Sequence, residues 1–472
     1  MNQNKSRLIV VIVVTLLLSS PTYFTSQGFS SSEEELSPDT IIHNGTIITM
    51  EQYPEQVEAL AIQGESILAI GNESDIIAMA GPNTHFIDLD GRALTPGFID
   101  SHAHWIRRID VVNQSIPDEA MESALSNGWT SITEMTANPN TLGELIDLDQ
   151  QDSLRIRVNV YLTMSRGGMD FGDWYQAYQP RQEFSSMLRI AGVKILMDDW
   201  ITTWQHYLNQ DELDALVQEA HEAGYQIAVH SVTDNATDVV MNSFETALGG
   251  ESNELYRHRI EHLVLLRNDQ LLRMSDLGIL ASFQLTWFNS DDTEYEQYPL
   301  YQEYSHLIAR WRDIVDTGIP SIGSTDYPFN LGRIGSAIEA ISLSVTKIGE
   351  KGLTPPDWML NQSLSVEQAL RLLTIDAAYG TFQEDVKGSI KVGKFADLVI
   401  LSDNPLTVPE ASLKNIEVLL TMVGGKIEYV KEGSGFPGPD NATSLWAFLP
   451  SVLIIVSLVA LVVFIVFKKY RS

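Results

Sequence analysis

The chain repeatedly ends or interrupts a short apolar run with a residue able to bind a metal ion or carry a proton. The first such run is Thr95-Pro96-Gly97-Phe98-Ile99-Asp100-Ser101-His102-Ala103-His104. Side chains of a strand alternate faces, so His102 and His104 point the same way and can share one ion. Gly192 to Asp198 is another apolar run and carries Lys194. Tyr225 to His230 and His258 to His262 each end in histidine, and Pro320 to Asp326 ends in aspartate. Runs of this kind, bounded by turn residues and separated by helical patterns, read as buried strands of a parallel sheet. If the sheet closes into a (β/α)8 barrel, the C-terminal ends of its strands meet at one mouth. His102, His104, Lys194, His230, His262 and Asp326 then converge. Four imidazoles, a carboxylate and a lysine suit one or two zinc-like ions.

Eight strands can be traced, near 97–103, 128–134, 155–162, 192–198, 225–230, 258–263, 278–284 and 320–325. Helical patterns lie between most of them. Asp211 to Ala223 places Leu213, Leu216, Val217 and Ala220 on one helix face, and Gly224 ends it. Ser365 to Gln368 is a capping-box pattern before Ala369 and Leu370. The flanks have a different texture. Between 40 and 94, short apolar runs are split by Asn-Gly, Gly and Pro, which reads as antiparallel strands. The same texture returns at Ala396–Leu401, Val418–Val423 and Lys426–Val430.

Both ends carry membrane signals. Lys5 and Arg7 precede an apolar run from Leu8 to about Leu18, the form of a signal peptide, with an uncleaved N-terminal anchor as the alternative over 1–27. Residues 28–39 form a polar, acidic leader, and 433–443 a Gly/Pro/Asn-rich stalk. Residues 444–467 are long and apolar enough for a transmembrane helix, and Lys468, Lys469 and Arg471 follow in the tail 468–472. Positive charge favours the cytoplasmic side, so the body is expected outside the cytoplasm, held at the cell membrane by one C-terminal anchor. A formal charge of −32 excludes nucleic acid and anionic lipid surfaces as partners, because both demand Lys and Arg. Cysteine is absent, so disulfides and thiolate metal sites are excluded as well.

The stretches 95–104, 192–198, 226–236, 259–263, 322–328 and 374–406 resemble, in the same order, those of the metal-dependent amidohydrolase superfamily, and within it the amidohydrolase-3 (YtcJ-like) group. The resemblance spans roughly residues 38 to 430. It implies an α/β fold: a (β/α)8 TIM-type barrel over 95–387 beside a small β-sandwich formed by both flanks, 40–94 and 388–432, with the C-terminal transmembrane helix added by this chain. One departure is the short interval between His104 and Trp129, where members of the group carry a long insertion. Substrate preferences tied to that insertion do not carry over.

The resemblance also implies the chemistry. His102 and His104 would hold one divalent ion and His230 and His262 a second, with zinc the expected metal. Two cations repel, so an anion must bridge them. A carboxylated Lys194 would be that bridge, and a bound hydroxide the second one. Asp326 would ligate weakly and shuttle the proton to the leaving nitrogen. The other histidines, His258 among them, read as packing residues; His258 shares a strand face with His262 if the strand is regular. Trp105, Arg107, Met164, Arg166, Trp200, Trp204, Gln284 and Tyr327 follow strand ends and are candidates for the mouth. Of these, Arg166 could pair with a substrate carboxylate, Gln284 could bond a carbonyl, and Trp105 could contact the substrate. Three functions remain open at this point: hydrolysis of a non-peptide C–N bond in a small molecule, deamination of a nucleobase, and binding without catalysis. Deaminases of the superfamily often place an acid three residues after the strand-five histidine, where this chain has Thr233.

Overall fold

The apolar runs form strands because their β-branched and aromatic residues are covered on both faces, a condition only an enclosed parallel sheet meets. In the computed structural model, which describes residues 37–51, 56–105, 116–291, 303–329 and 335–438, they form one parallel sheet. Its strands are β1 (Phe98–Ala103), β2 (Trp129–Ala137), β3 (Arg157–Arg166), β4 (Leu188–Leu196), β5 (Ile227–Ser231), β6 (Arg259–His262), β7 (Leu280–Gln284) and β8 (Ser321–Ser324). Each pairs in parallel with the next in sequence. The segment after β8 returns to β1, where Asp326 N donates to His102 O at 2.8 Å and His104 N donates to Tyr327 O at 2.7 Å. The sheet is therefore a nearly closed barrel.

β2 runs on to Ala137, and two further strands extend well beyond their expected bounds. β3 continues to Arg166 and β4 begins at Leu188. Their extensions carry Thr163, Ser165 and Arg189, polar residues that interrupt the apolar signal yet are buried. The helix after β4 spans Gln210–Glu222, with Asn209 and Glu212 forming a capping box, and Gly224 follows it at φ +83°. Ser365 caps the helix Val366–Leu372, again with a capping box.

The flanks meet in space. One sheet has the order Ser66–Gly71, Ala59–Gln63, Thr40–His43, His85–Asp88. The other joins chain segments from both sides of the barrel: Lys426–Val430, Val418–Val423, Leu398–Leu401, Ala93–Pro96, Thr46–Ile48, Gln56–Val57. Ile42, Leu60 and Ile62 of the first sheet share one apolar core with Leu94, Leu398 and Leu420 of the second. Residues 1–36 and 439–472 lie outside the described residues. With them go the expected signal or anchor, most of the acidic leader, the end of the stalk and the membrane helix 444–467. Among the described residues, no helix is long and apolar enough to cross a membrane.

The barrel floor is closed by the segment between the helix Ile375–Gly380 and the strand Leu398–Leu401. Arg189 donates to Thr381 O at 2.6 Å, and Lys387 Nζ donates to Ser131 Oγ at 2.7 Å. Arg157, at the start of β3, lies over the Phe395 ring and donates twice to Asp397, at 2.8 and 3.0 Å. Asp397 also accepts from Gly424 N, so this pair ties the barrel to the sandwich. Arg157 and Asp397 are both buried. Removing one partner strands the other's charge. We therefore expect Arg157→Met to destabilise folding by about 3–5 kcal/mol, measured by urea denaturation. A loss below about 1 kcal/mol, the range of exposed pairs, would show that the pair does not join the two parts.

Candidate metal centre

The mouth of the barrel gathers the histidines by two means. His102 and His104 project from the end of β1 as alternate residues, and Asp326 reaches them from beyond β8. His102 Nε2 and His104 Nε2 lie 3.4 and 3.2 Å from the same atom, Asp326 Oδ1. Ligand atoms of these three buried residues all fall within 4.8 Å of one another. The His262 ring is 4.8 Å from that of His102, and the His230 ring 4.4 Å from that of His262, centroid to centroid. Lys194 lies between β3 and β5, in register with Thr163 and Ala228, and is buried. Gly192, two residues earlier, lets β5 approach closely: a Cβ there would lie 2.3 Å from Gln226 O.

Backbone geometry re-aims two of these residues. His262 (φ +78°) and Asp326 (φ +56°) adopt left-handed conformations. Such conformations cost about 1–3 kcal/mol each and cluster at functional sites. They also overturn the expectation that His258 and His262 share a face. Along β6 it is Arg259 and Glu261 that point inward, and the turn at His262 breaks the alternation. His258 instead packs between Phe244 and Tyr256, with its Nε2 3.0 Å from His221 Nδ1.

A set of buried partners fixes the rings, and sequence reasoning gave none of them this role. His102 Nδ1 donates to Glu261 Oε2 at 2.5 Å. Glu261 is in turn bound by the Arg259 guanidinium, which also donates to Ser101 O and Ser282 Oγ. His104 Nδ1 lies 3.0 Å from Thr136 Oγ1 and 3.5 Å from Glu134 Oε1. His262 Nδ1 donates to Gln284 Oε1 at 2.8 Å. His230 Nε2 lies 3.6 Å from Asp198 Oδ1, and Asp198 accepts from Val232 N, Thr233 N and Thr233 Oγ1. Asp100 accepts from Thr325 N and Oγ1, which holds the turn that presents Asp326. Signals for two of these stood in the motifs: Glu261 immediately precedes His262, and Asp198 ends the lysine-bearing run.

Of the three residues expected to contact substrate, two are engaged with neighbouring side chains and the third stands at a strand end. Gln284 is buried, with Oε1 on His262 and Nε2 donating to Ser324 Oγ, so its amide orients a ring. Trp105 is buried against Tyr327 and donates to Asp100. Arg166 is half-buried at the end of β3, beside the short hairpin to Met169. Arg107 lies outside the described residues.

Electrostatics favour the neutral imidazole at three of the four histidines. Burial, with Lys194 and neighbouring imidazoles, holds His102 and His230 well below the usual histidine range and pushes His262 down to about 3. Burial opposes charge on His104 too, but the Asp326 and Glu134 carboxylates outweigh it and raise that pKa. Burial likewise opposes charge on Glu261, yet Arg259 and His102 hold its carboxyl well below the carboxylate range. Burial brings Lys194 down to about 8.

These residues fit a divalent cation. His102 spends its Nδ1 proton on Glu261, so its Nε2 lone pair faces the Asp326 oxygen, acceptor against acceptor. Among the described residues, Asp326 Oδ1, Lys194 Nζ and His230 Nε2 are buried without a hydrogen-bond partner. Buried polar atoms left this way are costly, and a cation satisfies the oxygen and the imidazole nitrogens together.

The Lys194 shift has a measurable sign. Its pKa is about 8 in the fold against 10.5 for an ordinary lysine. Between those values the unfolded chain binds more protons, so stability of the metal-free protein rises with pH across this window. We expect the urea midpoint of chelator-treated protein to rise from pH 8 to 10 by more in the wild type than in Lys194→Met. Equal rises in both would mean that Lys194 is not held in this environment.

Residues 111–429 match the model of the amidohydrolase family, Amidohydro_3. The amidohydrolase YtcJ of Bacillus subtilis is 24% identical over 352 residues, covering 69% of this chain and 64% of YtcJ. The N-substituted formamide deformylase of Arthrobacter pascens is 27% identical over 236 residues, covering 48% of this chain and 41% of that protein. The chain thus spans less than two thirds of the length of both. The crystal structure of an uncharacterized metal-dependent hydrolase from Pyrococcus horikoshii superimposes with a TM-score of 0.66 at 21% identity, over 79% of this chain and 99% of that one. A shared fold, the ordered motifs and a family match over most of its length agree: the chain belongs to the amidohydrolase family.

Proposed function

We propose that the protein is a metal-dependent hydrolase cleaving a C–N bond other than a peptide bond in a small amide, cyclic amide or N-acyl compound. The observation that carries this reading is Asp326 Oδ1, buried with no hydrogen-bond partner among the described residues and flanked at 3.2 and 3.4 Å by two imidazole nitrogens. His102, His104 and Asp326 would hold one divalent ion, and His230 and His262 a second, with zinc the proposed metal. Bound there, the metal would lower the pKa of a water and polarise the substrate carbonyl.

The chain's own residues do the rest. Arg259 and Glu261 keep His102 in one tautomer, and Gln284 does the same for His262. Lys194 is proposed to carry a carbamate. Burial leaves part of its amine neutral near pH 8, and a neutral amine can add CO2 with loss of one proton. The product is an anion suited to sit among cations. The other oxygen of the Asp326 carboxylate, Oδ2, accepts a proton from the attacking water and passes it to the leaving nitrogen, which is a poor leaving group until protonated. Thr233 is committed to Asp198 and to the N-terminus of the helix Asp234–Leu248, so it supplies no acid for a deaminase pattern.

We further propose that the enzyme works outside the cytoplasm on its C-terminal membrane anchor. The support is the apolar run 444–467 followed by Lys468, Lys469 and Arg471.

Asp326→Asn tests the proton shuttle. Asparagine keeps the size and one oxygen but cannot carry a proton at neutral pH. Turnover is expected to fall by about 10²–10⁴, in kcat more than in KM, with metal content largely retained. Near-normal kcat at normal metal content would assign the proton to another group.

A further inference from the structure

Aromatic rings from two strand-end loops lie against the histidine cluster, and a ring from a third loop packs on one of them. Phe329, after β8, packs edge-on to His104 with ring centroids 5.1 Å apart, and it is 53% exposed. Trp287, after β7, lies parallel to His262, centroids 5.3 Å and planes 6° apart. Trp200, after β4, meets Trp287 edge-on at 5.2 Å. Both tryptophans are half-buried. None of these rings is needed to fix the histidines, because Gln284 already holds His262 and Thr136 with Glu134 already hold His104. Among the described residues, the surfaces beside His104 and His262 include the edge and face of these rings. Such surfaces recognise apolar, planar groups through area burial and offset stacking.

We propose that Phe329, Trp287 and Trp200 form an apolar subsite, and that the substrate carries an aromatic group close to its scissile C–N bond. This rests on the reading of the site as a C–N hydrolase and adds the class of substrate. The side chains set preference by desolvating the aromatic group, so they discriminate between substrates that present the same amide.

The test compares N-acetylphenethylamine with N-acetylethylamine, which differ by one phenyl ring, on the full-length zinc-loaded protein. The aromatic substrate is expected to have a kcat/KM about 10- to 100-fold higher. Trp287→Ala and Phe329→Ala should each reduce that ratio about tenfold, mainly through KM, with circular dichroism and metal content showing intact folding. Equal kcat/KM values for the two substrates would overturn the subsite and leave the hydrolase reading standing. If neither amide is cleaved, titration with the uncleavable sulfonamide analogue of the aromatic substrate decides. Saturable quenching of tryptophan fluorescence, lost in Trp287→Leu, would support the subsite while the hydrolase reading fails. No quenching would overturn both.

Discussion

The arrangement of the mouth depends on one buried ionic chain, Arg259 to Glu261 to His102. All three side chains are buried in the barrel. A carboxylate there is tolerated only because a guanidinium meets it, and the guanidinium because further acceptors, Ser101 O and Ser282 Oγ, complete its bonds. The arrangement does more than hold strands together. It takes the Nδ1 proton of His102 in a fixed direction, so the opposite nitrogen is presented as a lone pair to the mouth. Outer partners of this kind commonly set the tautomer and basicity of metal-binding histidines.

Around that chain the barrel divides its labour between its two ends. The floor is a set of buried basic side chains: Arg157 and Arg189 bond to the segment that leads into the sandwich, and Lys387, within that segment, bonds back to Ser131. Their bonds include the Thr381 carbonyl, the Ser131 hydroxyl and the Asp397 carboxylate, and they serve stability. The mouth collects imidazoles, three of them held neutral by burial, and, among the described residues, a carboxylate oxygen with no hydrogen-bond donor. This asymmetry is what a barrel with its chemistry at the C-terminal strand ends should show.

Much of this was legible in the sequence because strand alternation and strand ends are short-range properties. The eight strands and the six residues of the cluster follow from apolar runs and their last residues. What was not legible depends on which side chain stands opposite across the barrel. Glu261 and His102 are 159 positions apart, and no local pattern announces that one receives the proton of the other. Gln284 read as a substrate contact because it ends a strand; only the neighbouring strand's histidine shows that its amide is already engaged. His258 was misplaced on the face of His262 because a left-handed residue at the strand end is invisible to a period of two. The joining of the flanks into shared sheets rested on family resemblance alone, since antiparallel texture does not reveal its partner. The ends of the chain rest on composition and hydropathy only.

The central claim is that these residues form a metal centre. Anomalous diffraction at the zinc edge, on crystals of protein made in zinc-supplemented medium, addresses it directly. The account predicts peaks within about 2.0–2.2 Å of the imidazole nitrogens of His102 and His104 and of an Asp326 oxygen. A second peak is expected beside His230 and His262, with carbamate density on Lys194 between the two. One peak with an unmodified Lys194 would leave a mononuclear centre. No peak at His102, His104 and Asp326 in a well-ordered map would contradict the account.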